Sequence, residues 1–144
     1  MGVRDARGWG VVRTAYLRSV PMSVSRTNPA AAVELLRLEG TFDMANIAEA
    51  SDAFDAALDH GAAAVIVDLR DVEFLDSTML NFLQQAHTRL DNDGGRLLLV
   101  RPSSPTVWHV FQVTMLDRLF ASFASLESAL LSATDSRRIH DLSR

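Results

Sequence analysis

Three adjacent residues offer chemistry: Asp76, Ser77 and Thr78, a carboxylate followed by two hydroxyls. They stand between the run "VIVDLRDVEFL" (Val65–Leu75) and a segment of helical period. Two kinds of chemistry fit. Short oxygen-bearing side chains are preferred at helix N-caps, where they accept the free N–H groups of the first turn. A hydroxyl at a helix start is also a suitable phosphoacceptor, because the helix dipole favours the roughly two negative charges that phosphate adds. Residue type alone leaves both open.

Other chemistries find no residues. Ser77 has no G-x-S-x-G elbow around it. His60, His87, His109 and His140 lie far apart without metal-ligand spacing, and are read as surface histidines. Gly94-Gly95 lacks the further glycines of a phosphate-binding loop and reads as a tight turn. Acids are plentiful, yet no pair stands out as a tuned acid–base couple. The absence of cysteine excludes disulfides, thiol nucleophiles and thiolate metal sites. The expectation is a protein that is not an enzyme, with no catalytic residue, no metal and no cofactor.

The elements around Asp76 follow from periodicity. "MSVSRT" (Met22–Thr27) alternates, the turn signal Asn28-Pro29 follows, and "AVELLRLEG" (Ala32–Gly40) alternates again, so a hairpin is expected. Ile47, Ala50, Phe54 and Ala57 recur at helical steps up to a stop at Gly61. "AAAVIVDL" (Ala62–Leu69) suits a strand buried on both faces. A second helix is predicted from about Thr78 to Leu90, followed by the strand "RLLLV" (Arg96–Val100). Ser104-Pro105 opens a third helix to about Thr114. "RLFASF" (Arg118–Phe123) is a short strand, and Ser125 caps a last helix to Ala133. The order β-β-α-β-α-β-α-β-α predicts an α/β fold, a small mixed β-sheet covered by helices with right-handed crossovers. Three parts are expected: an N-terminal extension without fixed structure (1–21), one domain (22–134) and a polar tail (135–144). Met22 is a second candidate start, so residues 1–21 are either an upstream addition or a disordered arm.

On the second helix, Met79, Leu83, Ala86 and Leu90 form one apolar stripe. Ser77, Asn81, Gln84 and Thr88 form the opposite stripe, polar yet uncharged in a chain otherwise rich in acids. Such a stripe, starting beside a strand's carboxyl end, suits a docking surface. Met79 is either a core side chain or one aimed at a partner. Trp108 on the third helix is either core cover or an interface anchor.

Charge narrows the partner. All fourteen basic residues are arginine. Residues 1–30 carry a net charge of +4 and residues 31–133 a net charge of −9. An acidic body offers no footprint for direct nucleic-acid binding, which rests on cationic contacts to phosphate. It favours a partner with a basic face. No apolar run approaches the ~20 residues of a bilayer span, and Arg13 and Arg18 interrupt any signal-peptide core. No membrane association is expected, and the expected compartment is the cytoplasm.

The segment "VIVDLRDVEFLDSTMLNFL" resembles the signature of the STAS domain (sulfate transporter and anti-sigma factor antagonist), in which a buried strand leads through D-S-S/T-G-L into a helix. "LEGTFDMAN" resembles that family's second strand and its G-x-L-D turn, and "GGRLLLVRPSSPTVWHVFQVTMLDRLFASFASLESAL" its last two helix–strand units. The resemblance spans about residues 22–133 and is closest to stand-alone anti-sigma factor antagonists. It implies a transcription regulator that switches partners: it binds an anti-sigma factor that is also a serine kinase, is phosphorylated at Ser77, and is restored by a PP2C-type phosphatase. It implies a contact surface of Asp43, Asp76, Ser77, Thr78, Met79, Asn81, Gln84 and Thr88. Two departures stand out, Met79 and Met115 at positions where the family commonly has glycine. The alternatives are a STAS scaffold or transporter accessory subunit without a regulated serine, and a nucleotide- or small-molecule-binding module.

Overall fold

The run Val65–Leu69, apolar but for Asp68, lies at the centre of the sheet, as a strand covered on both faces must. The structure, a computed structural model, describes the backbone of residues 22–142 and the side chains of residues 22–134. The elements are β1 (Ser23–Ala30), β2 (Val33–Phe42), α1 (Ile47–Asp59), β3 (Ala64–Leu75), α2 (Ser77–Asn92), β4 (Arg96–Val100), α3 (Pro105–Val113), a 3-10 turn (Leu116–Arg118), β5 (Ala121–Phe123) and α4 (Leu126–Leu142). One mixed sheet runs in the order β1-β2-β3-β4-β5. β1 and β2 pair antiparallel, and every later neighbour is parallel. The expected element order and α/β class hold. The extension at residues 1–21 lies outside the described residues.

Handedness places the layers. From β2 to β5 the chain steps to the adjacent strand in one direction each time, so right-handed crossovers put α1, α2 and α3 on the same face. Phe54 of α1, Met79 and Leu83 of α2 and Phe111 of α3 pack there on Leu36, Val65, Val67 and Leu99. The opposite face is covered by α4, whose Ala129 and Ala133 join Val33, Ile66, Leu98 and Val100. Alternate residues of Ala64–Val67 serve the two layers, which is why the first part of β3 shows no polar face.

Four boundaries differ from the expectation, the first being the last strand, which is only Ala121–Phe123 because Leu116–Arg118 forms the 3-10 turn. The hairpin turn falls at Ala31-Ala32, and Asn28-Pro29 lies within β1. The ladder shifts register between Thr27 and Ala30, and β1 is an edge strand, where a proline without N–H is tolerated. Asn28 still serves the turn, since its Nδ2 donates to the carbonyls of Ala30 (3.0 Å) and Val33 (2.8 Å). β3 continues six residues beyond Leu69, to Leu75. The last helix runs on to Leu142, through positions expected to form a polar tail.

Helix starts follow their caps. Ser104 Oγ accepts the N–H of Val107 at 3.3 Å, with Pro105 in the first turn. Ser125 Oγ accepts the N–H of Ser128 at 3.1 Å. Gly95 sits where a Cβ would stand 2.7 Å from the carbonyl oxygen of Ala63, so only glycine lets this turn close against the start of β3.

Candidate functional site around Ser77

At the end of β3 the chain turns directly into α2. Asp76 donates its N–H to the carbonyl of Phe42 at 3.2 Å, which ties the junction to the end of β2. Its Oδ1 then accepts the N–H groups of Thr78 (2.9 Å) and Met79 (3.3 Å). The cap is therefore the carboxylate. Ser77 is the first helical residue, exposed, and its hydroxyl takes no part in the cap. Thr78 is half-buried.

The polar stripe of α2 faces outward. Asn81, Gln84 and Thr88 are exposed. Gln84 and Thr88, with Gln85, Arg89 and Asn92, line an open groove of about 510 Å³. Arg89 holds the stripe's far end by pairing with Asp55 of α1 at 2.8 Å. Met79 corrects the expected contact surface. It is fully buried in the core with Leu83 and Phe111, so it cannot reach a partner from the folded protein.

Asp43 sits at the same end of the sheet, after β2, and is engaged in its own turn. Its Oδ1 accepts the N–H of Ala45 at 2.9 Å, and its N–H donates to Asn46 Oδ1 at 3.0 Å. Asp43 therefore shapes the loop as well as bordering the site.

Two apolar residues at this end escaped sequence reasoning. Met44 is 78% exposed and Phe74 52% exposed. Phe74 is turned outward by a bulge: Gly40 pairs with Val72 and Thr41 with Phe74, so Glu73 is an extra residue on β3. Another irregularity lies between the pairs Arg37–Asp68 and Glu39–Asp71. Simple alternation along β3 cannot reveal either shift. The one local signal is a large apolar residue set among acids in "DVEFLD".

Beside the bulges lies a buried charge. Asp68 is 1% exposed and accepts three bonds from Arg70: its backbone N–H to Oδ1 at 3.1 Å, Nε to Oδ1 at 3.0 Å and Nη2 to Oδ2 at 2.7 Å. The side-chain bonds raise the guanidinium pKa of Arg70 above its ordinary value. Trp108 is half-buried, stacked on Phe111 with ring centroids 5.2 Å apart and lying beneath the guanidinium of Arg101. It covers the core and keeps one edge in a surface groove with Arg101 and Ser103.

His87 also differs from expectation. It is half-buried, edge-on to Phe120, and its Nδ1 is buried without a hydrogen-bond partner. The helix edge that carries His87 meets Phe120, in the segment before β5. His60 and His109 are exposed, and His140 lies outside the described side chains. Among the described residues no cluster of His, Asp and Glu is arranged to hold a metal ion, and no helix is long and apolar enough to cross a membrane.

A family model described as STAS domain matches residues 26–129. The crystal structure of an anti-sigma factor antagonist from Mycobacterium paratuberculosis is 24% identical, covers 81% of this chain and 98% of its own, and superposes with a TM-score of 0.71. The anti-sigma factor antagonist SpoIIAA in its unphosphorylated form is 24% identical over 78% of this chain and 97% of its own, with a TM-score of 0.68. The phosphorylated form of SpoIIAA, a Bacillus cell fate determinant, is 24% identical over 75% of this chain and 96% of its own, with a TM-score of 0.60. At these identities the likeness shows a shared fold. Comparison with curated proteins finds no match.

Proposed function

This chain belongs to the STAS domain family, and we propose that it is an anti-sigma factor antagonist switched off by phosphorylation at Ser77. The observation that carries the reading is the division of roles at the start of α2: Asp76 closes the helix turn, which leaves the Ser77 hydroxyl exposed and uncommitted. The unmodified protein binds an anti-sigma factor, itself a serine kinase, through the exposed stripe Ser77, Asn81, Gln84 and Thr88 and the apolar neighbours Met44 and Phe74. Asp43, Asp76 and Thr78 border that contact. Binding frees the sigma factor. The kinase then moves the γ-phosphoryl group of ATP to Ser77 Oγ, and a PP2C-type phosphatase hydrolyses it off. The protein supplies no catalytic group and works in the cytoplasm.

Physical chemistry supports the switch. Phosphate brings about −1.5 to −2 charges. At the first position of α2 the helix dipole tolerates them, so the fold stands. Beside Asp76, inside a contact that must shed water, the same charges oppose docking through repulsion and desolvation. That SpoIIAA exists in both forms is a property of that protein, and it supports the same chemistry on this fold.

Mass spectrometry after incubation with the cognate kinase and ATP, with binding titrated in parallel, tests the reading. A single phosphate on Ser77 and weakened binding are expected. Phosphate elsewhere, or unchanged binding of the Ser77 phosphoform, would overturn it.

A further inference from the structure

The loops that follow β4 and β5 diverge. Residues 101–104 carry the chain from β4 into α3, on the face where Phe111 packs. Residues 124–125 carry it from β5 into α4, which covers the opposite face. Where adjacent parallel strands send their next helices to opposite faces, a crevice opens outside their carboxyl ends, and α/β proteins place ligands there. In this chain the crevice is a cleft of about 350 Å³ lined by Arg70, Arg101, Pro102, Ser103, Trp108 and Ala124. Two backbone bonds hold its rim. Arg101 N–H donates to the carbonyl of Phe123 at 2.9 Å, and Ser103 N–H to that of Arg70 at 3.2 Å.

The polar side chains of this cleft are donors. The guanidinium of Arg101 lies over the Trp108 ring, 5.9 Å from its centroid, and pairs with no carboxylate among the described residues. Arg70 gives Nε and Nη2 to Asp68 and keeps Nη1 uncommitted among the described residues. The Ser103 hydroxyl and the Trp108 indole N–H likewise have no partner among the described residues. No acid lines the cleft. Glu39, Asp71 and Glu73 line a neighbouring cleft of about 510 Å³ that shares Arg70 and Ser103, so their charges keep an anion on the Trp108 side. Pro105, the first residue of α3, follows directly on Ser103-Ser104, and the helix N-terminus adds positive potential. Guanidinium and indole N–H groups donate and do not accept, so the matching ligand is negatively charged and rich in acceptors.

We propose that this crevice binds a small organic phosphate. A phosphate group carries three strong acceptor oxygens, which suits donors arriving from β3, from the loop after β4 and from α3; a carboxylate has two oxygens in one plane. Arg101 meets the phosphate with its fork of N–H groups. The volume falls within the range of small-molecule sites, about 300–1,000 Å³, and leaves room for an organic part against Pro102, Ala124 and the edge of Trp108. The site is independent of the Ser77 switch.

Titration of the isotope-labelled full chain with phenyl phosphate, followed by NMR at constant ionic strength, tests the proposal. Saturable shifts are expected at the amides of Arg70, Arg101 and Ser103 and at the Trp108 indole N–H. Gly94, before β4, and Met115, after α3, should not move. The expected Kd is about 1 mM or tighter. Arg101→Gln should weaken binding about tenfold or more. Arg101→Lys should restore part of it, because an ammonium keeps the charge without the fork. Inorganic phosphate should bind more weakly than phenyl phosphate, and phenol should cause no shifts at these sites. Shifts that fail to saturate or that centre elsewhere overturn the proposal. So does equal affinity for phenol or inorganic phosphate, or wild-type binding by folded Arg101→Gln. If Arg101→Gln does not fold, the series of three ligands on the wild-type chain still decides. Neither kinase nor protein partner is involved, so failure here and failure of the Ser77 switch are told apart.

Discussion

Asp76 Oδ1 lies 2.9 Å from the backbone nitrogen of Thr78 and accepts its hydrogen bond across Ser77. The bond assigns the cap to the carboxylate, and the assignment has a cost that can be measured. Asp76→Ala should destabilise the protein by about 0.5–2 kcal/mol. Ser77→Ala should stay within about 0.5 kcal/mol, as for surface positions without a structural role. Urea unfolding of both variants decides it: equal losses would mean that the Ser77 hydroxyl shares the cap.

The switch predicts opposite behaviour of two Ser77 variants toward the anti-sigma partner. Ser77→Ala should bind as the unmodified protein does and lose all response to ATP. Ser77→Asp should fold normally, because the charge sits at a helix N-terminus, yet bind about tenfold or more weakly, roughly 1.4 kcal/mol. Titration calorimetry with the partner reads both. Wild-type affinity in Ser77→Asp would count against charge as the signal.

Asn81→Arg and Gln84→Arg place a long cation on the uncharged stripe. Both positions are exposed, so melting temperature should hardly move, while affinity for the partner should fall about tenfold, roughly 1.4 kcal/mol. Unchanged binding by both variants would move the interface elsewhere.

Met115 adopts the left-handed conformation, φ 63 and ψ 14, between α3 and the 3-10 turn, and its side chain is 54% exposed. That conformation costs a side-chain-bearing residue about 1–2 kcal/mol, and the exposed side chain recovers little by packing. Met115→Gly should therefore stabilise the protein by about 1 kcal/mol, with Met115→Val losing stability. Denaturant midpoints of the two variants give the answer.

Asp68→Asn keeps the shape of the buried side chain and removes its charge. It should cost about 1.5–3 kcal/mol, the range for hydrogen bonds to charged groups. Arg70→Lys should recover only part of the pair, because an ammonium cannot make two parallel bonds to one carboxylate. Full stability in Asp68→Asn would show that the pair contributes nothing net.

Helix and strand periods are local, so the frame was legible. The apolar stripe of α2 named Leu83, Ala86 and Leu90 as core-facing, with Met79 on the same stripe left open between core and partner, and the opposite stripe named Asn81, Gln84 and Thr88 as exposed. The family signature around Asp76 was legible for the same reason, as a strand, an acid, hydroxyls and a helix in direct succession. Which of Asp76 and Ser77 caps was not. Both residue types accept the same N–H groups, and the choice depends on where the bond from Asp76 to Phe42 holds the junction.

Contacts distant in sequence settled the rest. Phe74 faces outward because Thr41 and Gly40, more than thirty residues earlier, pair with β3 in a register that skips Glu73. His87 is half-buried because Phe120, from another crossover, packs against its ring. The acids Glu39 and Asp71 share one cleft only because β2 and β3 are neighbours. A sequence by itself determines which residues a segment turns to each face. Register and packing between segments decide which of those faces remain open, since they depend on hydrogen bonds and close contacts formed only when distant parts of the chain meet.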